Sequence, residues 1–318
     1  MRQYIIRRLI LIPVTLLFLS LIFFLMLRAI PGDTVDAIFA EDMASSLQAA
    51  RAQQLREELG LTRPIHVQYL DWLGRMVRGD LGHSFRYNKP VTQVLKERWH
   101  PSFQLMIFAV IGGVSIGIPL GVFSAYRQDT RVDYTLRMIA ITGITLPVFV
   151  VAALLLILLV GVFGWMPEIG YVAFTEDPVR NMKKMAWPAI VLIIAATAPY
   201  MRLVRSEMLE VIREDYIRTA RAKGLRDRLV VFRHALRNAL LPVVTTTGLS
   251  IGGLISGTVI TESVFEVPGL GRTIREAASS RDYAMLQSMV IAIGAAVMVI
   301  NLLTDIAYGW IDPRIRFT

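Results

Sequence analysis

The 318-residue chain has no cysteine, which excludes disulfides, zinc–thiolate sites and thiol nucleophiles. Histidine is scarce. His66, His83, His100 and His234 are too scattered to place a metal-binding pair on one helical turn, and the absence of H-E-x-x-H argues against a zinc protease. There is no G-x-x-x-x-G-K-[ST], so the chain has no P-loop of its own for ATP, and any energy must come from another subunit. Charge is sparse too: 19% of residues are charged against 54% hydrophobic, and the mean hydropathy of +0.53 is too high for an ordinary soluble domain.

Two matches to the nucleophile-elbow pattern occur, Gly113-Val-Ser115-Ile-Gly117 and Gly248-Leu-Ser250-Ile-Gly252. That motif needs a strand-to-helix turn with an acid and then a histidine downstream. Both matches fall inside apolar runs and no histidine follows Ser250, so an intramembrane hydrolase is disfavoured. The net charge of +9 raises nucleic-acid binding, but the basic residues cluster between long apolar runs. Membrane orientation accounts for that distribution better.

What is present is a series of long apolar runs. Arg2, Arg7 and Arg8 precede the first, from Leu9 to Leu27. It is longer than the about 7–15 residues of a signal-peptide core and close to the roughly 20 needed to span. It reads as a retained membrane helix stopped by Pro31 and Gly32. Five more runs lie at about 102–126, 138–163, 187–205, 239–262 and 285–309. Pro119, Pro147 and Pro199 sit within them, where neighbouring helices can re-satisfy freed carbonyls. Gly113, Gly117 and Gly121, Gly248 and Gly252, and Gly253 and Gly257 have the spacing that allows close helix packing.

Six spans place both termini on one side, and the basic residues at each end make that side the cytoplasm. The 202–238 loop then also faces inward, with ten Lys and Arg between Arg202 and Arg237. The expected layout is a first span at 1–30, an extracytoplasmic segment at 31–100, a five-helix core at 101–310 and a cytoplasmic tail at 311–318. The outer segment is patterned for small amphipathic helices. One is capped by Ser45 or Ser46 and ended by Gly60. A second starts at Pro64 and closes at Gly79, and a third short one runs from Pro90 towards Trp99.

Within spans, Glu262 and Asp305 lie near ends where water reaches, and Asn301 shares a helix face with Asp305 for a packing hydrogen bond. Thr142, Thr145, Ser250, Ser256 and Thr258 either line an aqueous path or bond back to their own helices.

The 202–242 stretch reads as a short helix, a glycine break and a second basic helix, a surface shaped to dock into another protein. Thr219-Ala220-x-x-x-Gly224, preceded by Asp215-Tyr216 and followed by Leu241-Pro242, resembles the EAA loop of binding-protein-dependent ABC importer permeases. Glu214 to Leu225, with His234-Ala-Leu-Arg-Asn-Ala-Leu-Leu-Pro242, is similar to the dipeptide/oligopeptide branch. So are Ile30-Pro-Gly-Asp33, Glu58-Leu-Gly-Leu61, Gly79-Asp-Leu-Gly-x-Ser84, Val267-Pro-Gly-Leu-Gly-Arg272, Arg281-Asp-Tyr283 and Pro313-Arg-Ile-Arg316. Arg218 stands where the generic motif has Glu, and the gap from Gly224 to Leu241 is longer than the generic one; both match the peptide branch.

The resemblance implies an all-α, six-span permease of the type I ABC importer fold in the cytoplasmic (inner) membrane. It also implies that the loop at about 206–240 couples to an ATPase through Asp215, Tyr216, Arg218, Thr219, Ala220, Arg221, Ala222, Lys223 and Gly224. Small side chains at Thr219, Ala220 and Ala222 permit close approach, Arg221 and Lys223 pair with acidic groups, and Gly224 makes the turn. Implied partners are a second similar permease, two ATPase subunits, an extracytoplasmic binding protein and membrane lipid, with no nucleic acid. The chain holds no cofactor, since ATP and Mg belong to the ATPases. Peptide is the implied cargo. The outer loop near 164–186 is short for a dipeptide permease, which keeps nickel chelates and glutathione as alternatives; a passive channel would not need the docking loop.

Overall fold

Long apolar helices dominate the computed structural model, which describes residues 2–39, 46–168 and 170–311. The tail at 312–318, including Pro313 to Arg316, and the cap position Ser45 lie outside the described residues. The helices are α1 (Arg2–Ala29), α2 (Thr34–Ile38), α3 (Ser46–Glu58), α4 (Ile65–Val77), α5 (Val91–Tyr126), α6 (Arg131–Thr145), α7 (Val148–Phe163) and α8 (Pro178–Ile212). They continue with α9 (Asp215–Ala222), α10 (Asp227–Leu229), a π-helical stretch (Val230–Ala235), α11 (Leu236–Ala239), α12 (Leu241–Val264), α13 (Leu270–Ser279) and α14 (Tyr283–Ile311). A two-residue hairpin, β1 (His83–Ser84) against β2 (Lys89–Pro90), precedes α5.

Among the described residues, α1, α5, α8 and α14 are each long and apolar enough to cross a membrane. The pair α6–α7 makes a fifth span, bent by 101° at Leu146–Pro147. At about 1.5 Å per residue, α12 is about 36 Å long, enough for a hydrocarbon layer of about 30 Å, and supplies the sixth. The surface agrees: Leu9, Ile10, Phe18, Ile22 and Met26 on α1 and Leu154, Ile157, Val162 and Phe163 on α7 are exposed. Apolar side chains turned outward along whole helices need lipid or a partner.

Three expectations need correction. The run at 138–163 is two helices rather than one, because Leu146 adopts extended backbone (φ −72°, ψ 122°), as a residue before proline tends to do. The helix expected from Pro90 to Trp99 does not end there; α5 continues for 36 residues. Finally, the first part of the 202–242 loop is helical continuation of α8.

The chain divides into two parts. One comprises 1–5, 100–272 and 299–318, and its core is made where α5 meets α8. A Cβ added to Gly117 would lie 2.7 Å from the Tyr200 Cβ and 2.9 Å from the Thr197 carbonyl oxygen; at Gly121 it would lie 2.7 Å from the Met201 carbonyl oxygen. Gly113 meets Ala196 in the same way. These glycines therefore let the two backbones touch. Gly257 packs more loosely on Leu192, Gly253 has nothing within 4 Å among the described residues, and the surroundings of Gly248 and Gly252 lie outside them.

The other part comprises 6–99 and 273–298. Here α4 lays Tyr69 and Trp72 against Phe24 of α1, with ring centroids 5.3 and 6.0 Å apart. Segments distant in sequence are tied by polar bonds. The buried Asp282 accepts from the Ser84 hydroxyl at 2.5 Å and caps α14 through the Met285 amide at 3.1 Å. The Tyr283 hydroxyl donates to the Gly32 carbonyl at 3.0 Å, and that of Thr34 to the Arg281 carbonyl at 2.9 Å. Tyr87 donates to Glu276 at 2.6 Å; burial and that carboxylate push its phenol up to about 12, so it stays a donor. Asp33 accepts from Arg56 at 2.7 Å, closing the turn after α1.

Candidate functional site

Of the ten-cation stretch, Arg202 and Arg205 lie on α8; beyond it the chain forms α9 and, after one glycine turn, the helical run from α10 to α11. Glu214, in extended backbone, precedes α9, and the eight residues of α9 end at Ala222, with Lys223 as the C-terminal cap. Gly224 has φ +81°; its amide donates to the Arg221 carbonyl at 2.9 Å and the Leu225 amide to that of Ala220 at 3.3 Å. This paired pattern satisfies the last carbonyls of a helix and requires a left-handed residue at its turn, the position glycine fills at least cost. A Cβ there would meet nothing within 4 Å. The requirement on Gly224 is therefore one of backbone conformation; neighbouring atoms do not crowd it.

One face of α9 is buried. Ile217 has no exposed surface and packs with Val204 and Met208 of α8, Val230, Val231 and Ala235 of the π-helical stretch, and Ala239 of α11. Ala220 leans on the same cluster. It thus faces inward, whereas Thr219 and Ala222 are exposed. The Thr219 hydroxyl is used within the helix, donating to the Asp215 carbonyl at 2.9 Å. Asp215, Tyr216, Arg218, Arg221 and Lys223 are exposed with them. Arg221 pairs with Asp227 at 2.9 Å across the turn, and Asn238 donates to the Tyr216 hydroxyl at 2.7 Å, lacing α9 to α11. The nine residues singled out from the sequence thus occupy one helix and its C-terminal turn, with Ala220 pointing inward.

A support that the sequence reading did not pick out lies beside it. Asp133, fully buried at the start of α6, is held by the Arg205 guanidinium of α8 through two bonds of 2.7 Å. The Ser124 hydroxyl at 2.5 Å and the Asp129 amide at 3.1 Å complete its shell. A bidentate arrangement with every lone pair used is the geometry in which a buried pair holds two helices in register. Removing one partner of such a pair typically costs about 3–5 kcal/mol.

At the other end of the bundle, Glu262 is fully buried, not near water as its position in the sequence suggests. It accepts from the Ser102 hydroxyl at 2.5 Å and the Arg272 amide at 3.0 Å. Asp305 accepts from the Tyr4 hydroxyl of α1 at 2.7 Å, a hydrogen bond between helices. Thr145 bonds back to the Ile141 carbonyl at 2.8 Å, while the side chains of Ser250 and Ser256 lie outside the described residues. Among the described residues no group of three or more His, Asp or Glu could hold a metal ion.

Residues 117–317 match the family described as "Binding-protein-dependent transport system inner membrane component", and residues 1–106 match the N-terminal part of such membrane components. The chain is 40% identical to a putative peptide permease protein of Brucella suis. It is 38% identical to the oligopeptide transport system permease protein AppB of Bacillus subtilis, and 35% to the dipeptide transport system permease protein DppB of Alkalihalophilus pseudofirmus. Each likeness covers 100% of both chains. Its fold is similar to a chain of the inward-facing MetNI methionine ABC transporter: TM-score 0.58 at 16% identity, over 69% of this chain and 97% of that one. The chain belongs to the family of inner-membrane components of binding-protein-dependent transport systems: it is a multi-pass, non-catalytic translocation subunit of an ABC transporter that works with an ATPase and a binding protein.

Proposed function

We propose that this chain is one half of the membrane core of an importer that carries di- and oligopeptides inward. A second, similar permease completes the core, two cytoplasmic ATPase subunits drive it, and an extracytoplasmic binding protein delivers cargo. Both termini and the 213–240 loop lie in the cytoplasm. The observation carrying the cargo class is the full-length likeness, at 35–40% identity, to permeases named for peptides.

The coupling role is carried by geometry. The exposed residues Asp215, Tyr216, Arg218, Thr219, Arg221, Ala222 and Lys223, with Gly224 behind them, form the surface that an ATPase cleft grips. Ile217 and Ala220 anchor that surface to α8 and α11. A packed core transmits displacement rather than absorbing it. When the two ATPases close on ATP, each α9 moves as a docked lever and the spans attached to α8 reorient, giving alternating access.

The test is uptake of labelled di- and oligopeptides by the complete complex in liposomes. Peptides are expected to be taken up with ATP inside, and unlabelled peptide to compete. Suppression by nickel chelates or glutathione, with no competition by peptide, would assign the cargo to those classes instead.

A further inference from the structure

A second feature lies on the membrane face that bears the 213–240 loop. Between α6 and α8 opens a cleft of about 360 Å³. Leu136, Ala140, Ile141 and Met201 form its apolar walls, and Arg137, Arg202, Arg205, Ser124 and Ser206 line it as well. Arg137 and Arg202 are exposed. Neither has a carboxylate partner among the described residues, in contrast to Arg205 beside them, which Asp133 neutralises. Arg137 stacks instead on the Tyr134 ring, 5.5 Å from its centre. The outer face of α6 around it, Tyr134, Met138, Ile139 and Ile141, is exposed and apolar.

We infer that this cleft is a binding site for an anionic phospholipid. Two guanidiniums without a carboxylate partner among the described residues, on neighbouring helices, fit a phosphate, which Arg binds in forked geometry. The aliphatic walls and the outer face of α6 fit an acyl chain running away from it. The bound lipid bridges α6 to α8 next to the Asp133–Arg205 pair. It stiffens the joint through which α9 moves the spans.

The assembled complex is placed in nanodiscs of phosphatidylcholine with increasing phosphatidylglycerol, and retained lipids are counted by native mass spectrometry. The wild type is expected to prefer phosphatidylglycerol by about tenfold. R137Q/R202Q lowers that preference by about tenfold and each single change by about threefold, while R131Q on the same helix leaves it unchanged. Should the double variant fail to assemble, the two single variants give the reading. Equal retention of both lipids by the wild type, or an unchanged preference in the R137Q and R202Q variants, overturns the site. In a parallel arm, uptake of a peptide with a free C-terminus is compared with its amidated form. If the double variant abolishes that discrimination and leaves lipid preference intact, the arginines read cargo and the inference is wrong.

Discussion

Gly224→Val abolishes ATP-dependent uptake while the chain still inserts and pairs. Valine is β-branched and strongly disfavoured in the left-handed region, where Gly224 sits at φ +81°. The strain is of order 1–3 kcal/mol, too little to unfold six spans but enough to unwind the last turn of α9. The two bonds that close the turn, Gly224 to Arg221 and Leu225 to Ala220, are the ones lost. Because no atom crowds this position, Gly224→Asn, which tolerates the left-handed region, is expected to keep much of the transport. The check is uptake and membrane yield measured on both variants. Uptake by the valine variant at the wild-type rate would show that the turn does not matter.

The second large effect concerns the membrane core. Gly117→Leu is expected to prevent a stable permease from accumulating. Even one added carbon meets Tyr200 and the Thr197 carbonyl at 2.7 and 2.9 Å, and backbone cannot move aside as a flexible side chain can. Overpacking of this kind typically costs about 1–3 kcal/mol, and a leucine adds three further carbons to the same space. Gly161→Leu on α7 provides the control, since a Cβ there meets nothing within 4 Å. Yield and thermal melting in detergent should fall sharply for the first and barely for the second. Equal melting temperatures would mean that α5 and α8 do not touch as described.

Much of this was legible in the sequence because its signals are local. Apolar runs of spanning length, the four-residue spacing of Gly113, Gly117 and Gly121, and the glycine between two basic helices all report a requirement within a few residues. Two kinds of feature were not. The first is the fate of a proline. Pro101, Pro119, Pro188 and Pro199 stay inside continuous helices, while Pro147 ends one and turns the chain by 101°. Which outcome occurs depends on whether neighbouring elements satisfy the freed carbonyls, and the run of residues around each proline does not encode that.

The second is pairing at a distance. Ser84 and Asp282 belong to separate sequence motifs, yet one hydrogen bond joins them across 198 positions. Asp133 and Arg205 are 72 apart, and nothing near either residue names the other. Glu262 shows the same limit in another form: a carboxylate near a span end reads as hydrated until the short helix after it is folded over its oxygens.

The absence of cysteine that restricts the chemistry also allows a direct trial of the central claim, that α9 sits in an ATPase. Ala222→Cys introduces a single thiol on its exposed face, and a membrane-impermeant maleimide is applied to either side of sealed vesicles. The account predicts labelling from the cytoplasmic side alone when the permease lacks its ATPases, and protection once the full complex assembles. Labelling from the outer side, or labelling undiminished by assembly, would contradict it.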